Sequence, residues 1–172
     1  MVIQLILKAL YFFLPAYLAN MAPVFFKKLP FLNIPIHKKL FGKNKTWRGL
    51  MAGTMVGGVV FLIQKLLYAD GFRSFALIDY NDFSILLGFL LGFGAIIVDL
   101  VESYYKRKAE ILPGGRWVPF DQLDFVIGGI IFSCFLYVPP AEVFLVLLIV
   151  SPLLHIATNH IGYWLGINES KW

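Results

Sequence analysis

The sequence predicts an all-α protein that crosses a lipid bilayer several times. Of its 172 residues, 59% are hydrophobic and only 15% are charged, and the mean hydropathy is +0.77. A soluble domain has about 45–50% apolar and about 25% charged residues, so this excess of apolar side chains favours a bilayer as the solvent. The apolar residues also form five separate runs, each close to the roughly 20 residues that a bilayer-crossing helix needs. We therefore predict a single membrane-embedded domain over residues 1–172.

Five transmembrane helices are predicted from these runs. They cover residues 1–20, 49–69, 83–101, 123–139 and 141–165. The fourth run is short for a span and needs the residues before it to reach full length. The first run is not typical of a cleaved signal peptide, because its one basic residue, Lys8, lies in the middle of the run rather than before it.

The basic residues predict the orientation of the spans, since cytoplasmic loops carry an excess of Lys and Arg. The first loop, about residues 21–48, is rich in basic residues and has no acidic one, and the third loop, about residues 102–122, is also strongly basic. The second loop carries one basic residue, Arg73, beside three aspartates. We therefore predict that the first and third loops are cytoplasmic, with the N-terminus outside and the C-terminus in the cytoplasm. The protein is then a multi-pass protein of the plasma membrane.

Ionisable side chains continue the third span at its predicted cytoplasmic end. If the helix runs on past the span, Asp99, Glu102, Ser103 and Lys106 are spaced at i, i+3, i+4 and i+7 and share one face. Asp99 directly follows an apolar run, so it lies at or inside the membrane boundary. Ionisable groups at that depth are costly and are usually functional.

The fourth span begins with two further carboxylates, Asp121 and Asp124. If the third and fourth spans are antiparallel neighbours, all four carboxylates lie at one depth, where their repulsion is unfavourable without cations. Oxygen ligands without His or Cys favour Mg²⁺, Mn²⁺ or Ca²⁺ over zinc. Two such ions about 4 Å apart are a common arrangement for nucleotidyl transfer. We therefore predict a site for two Mg²⁺ ions, with Mn²⁺ as the alternative.

The loop before the second span has the composition of a phosphate site. Lys43, Lys45 and Arg48 supply cations, and Gly42 permits a tight backbone turn. Thr46 supplies a hydroxyl and can cap a helix N-terminus, where oligophosphates bind favourably. The spacing of a Walker A loop is absent, so an ATPase is not indicated. Topology and anionic lipids alone also produce basic loops, so both interpretations stay open at this point.

Two motifs resemble those of the CTP-dependent phosphatidate cytidylyltransferase family. The first, Lys45-Thr46-Trp47-x-Gly49, is similar to the family's N-terminal phosphate-binding motif. The second is Asp99-Leu-x-Glu102-Ser103-x-x-Lys106-Arg107, followed by Pro113-Gly and Asp121-x-x-Asp124. Longer runs, at 15–23, 41–49 and 112–124, resemble the archaeal CDP-archaeol synthase branch. The resemblance therefore covers nearly the whole chain.

The resemblance implies transfer of CMP from CTP to unsaturated archaetidic acid, 2,3-bis-O-geranylgeranyl-glycerol 1-phosphate, with release of pyrophosphate. It implies that the metals are bound by Asp99, Asp121 and Asp124, with Glu102 as a fourth ligand or as the partner of a ligand. The implied CTP-binding residues are Lys43, Asn44, Lys45, Thr46 and Arg48. The residues implied for the lipid phosphate or the pyrophosphate are Ser103, Lys106, Arg107 and Arg116. Lys106 joins the three aspartates as a catalytic residue, and the two sets of cations could be exchanged.

Several polar residues have no assigned role at this point. Gln122 stands where the bacterial pattern has arginine, and the loop before it is shorter and lacks a His-Gly-Gly element. The roles of Gly114, Gly115 and Gln122 therefore stay open. On the last span, His155 and Asn159 share one face, which indicates either interhelical hydrogen bonds or contact with the lipid glycerol phosphate.

Three other functions are weighed against this one. A CDP-diacylglycerol synthase would differ only in its lipid substrate. A CDP-alcohol phosphotransferase needs an Asp-Gly-x-x-Ala-Arg opening that this sequence lacks. A small transporter predicts carboxylates along the depth of the membrane, whereas these gather at one boundary. The predicted partners are CTP, an ether-lipid phosphate and the bilayer, with no nucleic acid, and a homodimer is left open. The single cysteine, Cys134, excludes an intramolecular disulfide.

Overall fold

The part of the chain that the structure describes folds into six α-helices. The computed structural model describes residues 2–112 and 115–166, and its helices are α1 (Val2–Phe25), α2 (Lys38–Phe41), α3 (Trp47–Ala69), α4 (Leu86–Lys108), α5 (Phe120–Ser133) and α6 (Ala141–Trp164). One isolated bridge joins Pro35 and Thr46, and these described ranges contain no strand. The predicted all-α class is confirmed.

Four of these helices, α1, α3, α4 and α6, are long and apolar enough to cross a membrane. They coincide with the first, second, third and fifth predicted runs, and they make this a multi-pass membrane protein. Helix α5 has 14 residues, or about 21 Å of helix, which is shorter than the roughly 30 Å hydrocarbon core. The fourth predicted run, 123–139, is therefore helical only as far as Ser133.

Helix α5 ends because the chain forms a turn and then reaches two consecutive prolines. The carbonyl oxygen of Ser133 accepts hydrogen bonds from the amides of Leu136 (2.9 Å) and Tyr137 (2.7 Å). Pro139 and Pro140 carry no amide hydrogen and cannot continue a helix. The prediction of one helix over the fourth run rested on its apolar composition. The backbone is helical over only part of that run.

The turn after α5 lies beside the segment that leads into α4. The ring centroid of Tyr137 is 5.6 Å from that of Phe83 and 5.4 Å from that of Phe12. At the opposite end, ligand oxygens of Asp99 and Asp124 lie within 4.8 Å of each other. The segment 124–137 therefore runs antiparallel to the segment 83–99 along its whole length.

Helix α4 packs against α1, α3 and α5. Helices α4 and α5 approach each other closely at Gly94 and Gly128, since a Cβ atom on either glycine would overlap the carbonyl oxygen of the other. A Cβ on Gly57 of α3 would likewise lie 2.8 Å from the Cα of Gly92. Small residues at these crossings let the backbones approach closely, and this draws the polar ends of α4 and α5 together.

Two helices continue past the C-terminal ends of their predicted spans. Helix α1 continues to Phe25 and α4 continues to Lys108. Residues 102–108 were predicted in a cytoplasmic loop but are helical. The continued helix places Glu102 and Lys106 on the face of Asp99, as the sequence spacing requires.

Candidate active site

Three carboxylates form a compact group at one end of the bundle. Asp99 and Glu102 come from adjacent turns of α4, and Asp124 comes from the second turn of α5. Each offers an oxygen, and the three oxygens lie within 4.8 Å of one another. Glu102 and Asp124 are both 7% exposed. Buried carboxylates this close need neighbouring cations.

Lys106 lies against this group from α4. Its ammonium is 3.3 Å from an oxygen of Glu102, one turn earlier on the same helix, and forms an ion pair with Asp121. The second carboxylate oxygen of Asp121 accepts a 2.6 Å hydrogen bond from the amide of Trp117. Asp121 was predicted with the other three acids as a metal ligand, but it lies outside the compact group and is bonded to Lys106 and to the 115–119 segment.

Lys45 reaches the same group from the loop before α3. Its Nζ donates a 2.5 Å hydrogen bond to Oδ2 of Asp99. Burial opposes the charged ammonium, but the carboxylate of Asp99 outweighs it, so the pKa of Lys45 is raised above its ordinary value. The motifs around Lys45 and Asp99, which are far apart in the sequence, therefore meet in one site.

The first loop is held in place by backbone hydrogen bonds. The amide of Ile36 donates to the carbonyl of Lys45 (2.9 Å), and the amide of Trp47 donates to the carbonyl of Ile34 (3.0 Å). The segment 32–36 therefore runs antiparallel to the segment 45–48. This pairing fixes the backbone from which the Lys45 side chain extends.

The other residues predicted to bind CTP have different surroundings. The hydroxyl oxygen of Thr46 accepts from the amide of Gly49 (3.2 Å) and caps α3, as its type predicts. Arg48 is 5% exposed and donates to the carbonyl of Leu29 and to Oδ1 of Asn33. Lys43 and Asn44 are exposed.

Three cavities border Asp99. The largest, of about 290 Å³, lies between α1 and α6 and is lined by apolar residues of α1 together with Lys45 and Asn159. A second, of about 260 Å³, is lined by Lys106, Arg116 and the aspartates of α5. A small third cavity, of about 60 Å³, is lined by Asn44, Lys45 and Thr46. Asp99 thus borders both the small pocket beside α3 and the larger spaces beside α6.

The residues predicted for the second phosphate group have different surroundings. Ser103, which is buried, and Arg107, which is half-buried, line none of the described cavities that border Asp99, whereas Lys106 and Arg116 line the 260 Å³ cavity. Gly115 and Gln122 line the same cavity, which gives these two open positions a place in the site. Gly114 lies outside the described residues.

Three neutral polar residues complete the walls beside α6. Asn20, His155 and Asn159 all line both of the larger cavities. The sequence spacing of His155 and Asn159 predicts that they share a face. Asn20 was not assigned a role, although it lies in the 15–23 run that resembles the CDP-archaeol synthase branch. Its contact with the site depends on the packing of α1 against α6.

The comparisons with known proteins agree on one family. A family model described as CarS-like: CDP-archaeol synthase matches residues 2–172. The CDP-archaeol synthase of Pyrococcus furiosus is 33% identical over 97% of this chain and 98% of the relative, and that of Methanopyrus kandleri is 34% identical over 96% and 92%. A solved structure of an intramembrane enzyme for archaeal membrane lipid biosynthesis superposes with a TM-score of 0.70 and 28% identity. It covers 90% of this chain and 94% of that one.

Proposed function

The chain belongs to the CDP-archaeol synthase family, and we propose that it transfers CMP from CTP to unsaturated archaetidic acid, giving CDP-archaeol and pyrophosphate. The lipid is a geranylgeranyl diether of glycerol phosphate. The whole chain, residues 1–172, then acts as one cytidylyltransferase domain.

The observation that carries this proposal is the meeting of two cationic side chains and three carboxylates at one point. Lys45 contacts Asp99 from the first motif, and Lys106 contacts Glu102 from the second. A triphosphate and a phosphate monoester both need cations, and a cytidylyltransferase must hold both substrates at once. The arrangement supplies two lysines, one paired with Asp99 and one with Glu102.

The reaction needs little acid–base chemistry from the protein. An oxygen of the lipid phosphate attacks the α-phosphorus of CTP, the bond to the β-phosphate oxygen breaks, and pyrophosphate leaves with that electron pair. A phosphate monoester has its second pKa at about 6, so the attacking oxygen is ionised without a general base. Catalysis then consists of positioning the substrates and stabilising charge.

The carboxylate group fits a divalent cation. Asp99, Glu102 and Asp124 present an all-oxygen donor set with oxygens within 4.8 Å, which is the ligand type that Mg²⁺ and Mn²⁺ prefer. When bound there, Mg²⁺ supplies positive charge to the triphosphate and the leaving pyrophosphate. A second ion would need Asp121, the remaining carboxylate of the motif, but Asp121 is bonded to Lys106, so we assign it to orienting that lysine.

The basic residues divide between the two substrates by position. We assign Asn44 and Lys45 to the CTP phosphates, because they line the small cavity beside α3, and we add Lys43 as an exposed cation of the same loop. Thr46 contributes through its cap of α3. For the lipid phosphate or the pyrophosphate we assign residues near the end of α4 and the start of α5, namely Ser103, Lys106, Arg107 and Arg116.

The lipid substrate would approach from the side of α1 and α6. The cavity between these helices is lined by Met21, Val24 and Phe25, and at its polar end it meets the 260 Å³ cavity, since both are lined by Asp99. It therefore suits the apolar chains of the lipid, with the anionic head placed toward the cations that line the 260 Å³ cavity. Asn20 and Asn159 offer amides near that end for the glycerol oxygens.

Five membrane crossings, with the site facing the cytoplasm, fit this chemistry. Tyr137 lies beside Phe83, so α5 and its following turn traverse the same depth as the predicted third span, although α5 itself is short. The basic first loop and the α4–α5 connection then face the cytoplasm, where CTP is supplied. The N-terminus is outside and the C-terminus is cytoplasmic, in the plasma membrane.

A direct assay tests this function. Purified protein in detergent receives radiolabelled CTP and Mg²⁺ with either the geranylgeranyl diether phosphate or a diacyl phosphatidate, and labelled CDP-lipid is measured. We expect product from the ether lipid. Product from the diacyl lipid alone would instead identify a CDP-diacylglycerol synthase, and no product from either lipid would reject the proposal.

A further inference from the structure

We propose that Arg48 is a positioning residue that braces the first loop and thereby sets the place of Lys45, rather than a ligand of the CTP phosphates. The role of Lys45 in this inference rests on the proposed function, but the brace itself does not. Arg48 then affects the site only through the position of the Lys45 ammonium.

Arg48 is turned away from the site and into its own loop. Its guanidinium donates through one nitrogen to the carbonyl of Leu29 and through another to Oδ1 of Asn33, at 3.0 Å. The side chain is 5% exposed. A guanidinium has five donors in a rigid fork, and two of its nitrogens are already committed to residues 29–33.

The cavities agree with this orientation. Lys45 and Thr46 line the small cavity beside Asp99, and Lys45 also lines the large one. Arg48 lines none of the three described cavities that border Asp99. Lys45 and Arg48 are only three positions apart in the sequence, but they reach different spaces, because Arg48 lies inside the first turn of α3.

The brace is connected to Lys45 through the backbone. Arg48 fixes residues 29–33, the amide of Arg48 donates to the carbonyl of Leu32 at 3.1 Å, and Ile36 pairs with Lys45 at 2.9 Å. Residues 29–36 are therefore tied to α3 at one end by a side chain and at the other by backbone bonds. Without Arg48, the Leu29–Asn33 part would be released and the Lys45 backbone less constrained.

Two substitutions at Asn33 distinguish between two roles of Arg48, that of a brace and that of a phosphate ligand. Asn33 is exposed and holds Arg48 from the loop side. Asn33→Ala removes one bond of the brace, and we expect it to raise the KM for CTP in the same direction as Arg48→Gln, by roughly three- to tenfold, with little change in kcat. Asn33→Asp keeps an acceptor for Arg48, so CTP use should stay near wild type.

A double variant and the conservative variant Arg48→Lys give two further tests of the brace. If both residues act through one brace, Arg48→Gln combined with Asn33→Ala is no worse than Arg48→Gln alone. Arg48→Lys keeps the charge but cannot span both acceptors, so it should resemble Arg48→Gln. Full rescue by lysine would overturn the brace, and so would an unchanged KM in Asn33→Ala or a strong rise in Asn33→Asp.

Limited trypsin digestion of the full-length protein in detergent gives a readout that does not need turnover. We expect Arg48→Gln and Asn33→Ala to speed cleavage after Lys38 or Lys39, located by mass spectrometry, while Asn33→Asp is cut at the wild-type rate. Wild-type cleavage in all three variants would overturn the brace. A wild-type protein that does not turn over CTP, but whose variants show the expected cleavage, would reject only the proposed function. The Asn33 variants keep the test decisive if Arg48→Gln does not fold.

Discussion

The ammonium of Lys45 donates a 2.5 Å hydrogen bond to the carboxylate of Asp99, across 54 positions of sequence. One residue precedes α3 and the other lies on α4, so the bond joins the first loop to the acidic end of the bundle. Its geometry means that a triphosphate held by Lys45 would lie next to the carboxylates. Lys45 is therefore the residue whose loss should affect nucleotide use most directly.

Lys45→Ala should weaken CTP use more than lipid use. A lost hydrogen bond to a charged group costs about 1.5–3 kcal/mol, which is roughly a 10- to 150-fold rise in the KM for CTP. The measurement is a steady-state titration of each substrate. Lys39→Ala removes an equal charge from an exposed position of the same loop and should stay near wild type. A change confined to the lipid KM would contradict the assignment.

Metal removal should abolish turnover, because the three grouped carboxylates repel one another without cations. EDTA should stop the reaction, and Mg²⁺ or Mn²⁺ should restore it. Asp99→Asn and Asp124→Asn should each eliminate measurable product and weaken the metal dependence. Glu110→Gln, an exposed neighbour outside the group, is the matched control and should keep full activity. Full turnover in a metal-stripped sample would end the metal proposal.

Asp121→Asn should behave differently from the other aspartate variants. Its carboxylate is bonded to Lys106 and to the amide of Trp117, so its loss frees a lysine rather than a metal ligand. We expect turnover to fall while the concentration of Mg²⁺ for half-maximal rate shifts by less than it does in Asp99→Asn. Equal shifts in the two variants would make Asp121 a metal ligand, as the sequence motif implies.

The sequence is sufficient to predict the polar end of α4 because one helix carries it. Asp99, Glu102 and Lys106 follow helical spacing, so their common face needs no tertiary information. The partner of Asp121 could not be predicted in the same way. Asp121 is near both the other acids and Lys106, and only the packing of α5 on α4 decides which of them it bonds.

Two other features also depend on tertiary structure. Arg48 has the residue type and the loop of a phosphate ligand, but its acceptors are at Leu29 and Asn33, in a segment whose folding has no local signal. The end of α5 at Ser133 was missed because hydropathy measures the preference for the bilayer and not the backbone conformation. The four longer spans were predicted because length and apolarity agree in them.

The glycine contact between α4 and α5 should control both stability and activity. A Cβ atom on Gly128 would overlap the carbonyl oxygen of Gly94, so Gly128→Ala must push the helices apart. Overpacking typically costs about 1–3 kcal/mol, and we expect a lower unfolding temperature in detergent together with reduced turnover. Val59→Ile adds one carbon at an exposed position of α3 and should change neither. An unaltered unfolding temperature in Gly128→Ala would contradict this packing.

The orientation of the protein can be tested by the accessibility of single cysteines. The first loop and the α4–α5 connection are separated by α3 and α4, two candidate spans, so both must lie on one side of the membrane. In a Cys134→Ala background, Lys39→Cys and Ala109→Cys should react with an impermeant thiol reagent only from the cytoplasmic face. Ser74→Cys, in the exposed loop between those helices, should react only from outside.

The cysteine labelling tests the proposed reaction as well as the topology, because the reaction requires both loops on the cytoplasmic side. CTP is supplied from the cytoplasm, and Lys45 and Asp99 can serve one reaction only if their loops share that compartment. Labelling of Lys39→Cys and Ala109→Cys from opposite faces would mean that α3 and α4 do not both cross the membrane. The contact between Lys45 and Asp99 could then not exist in the bilayer, and the cytidylyltransferase site would be lost with it. Labelling of both from outside would keep the site but place it away from its nucleotide.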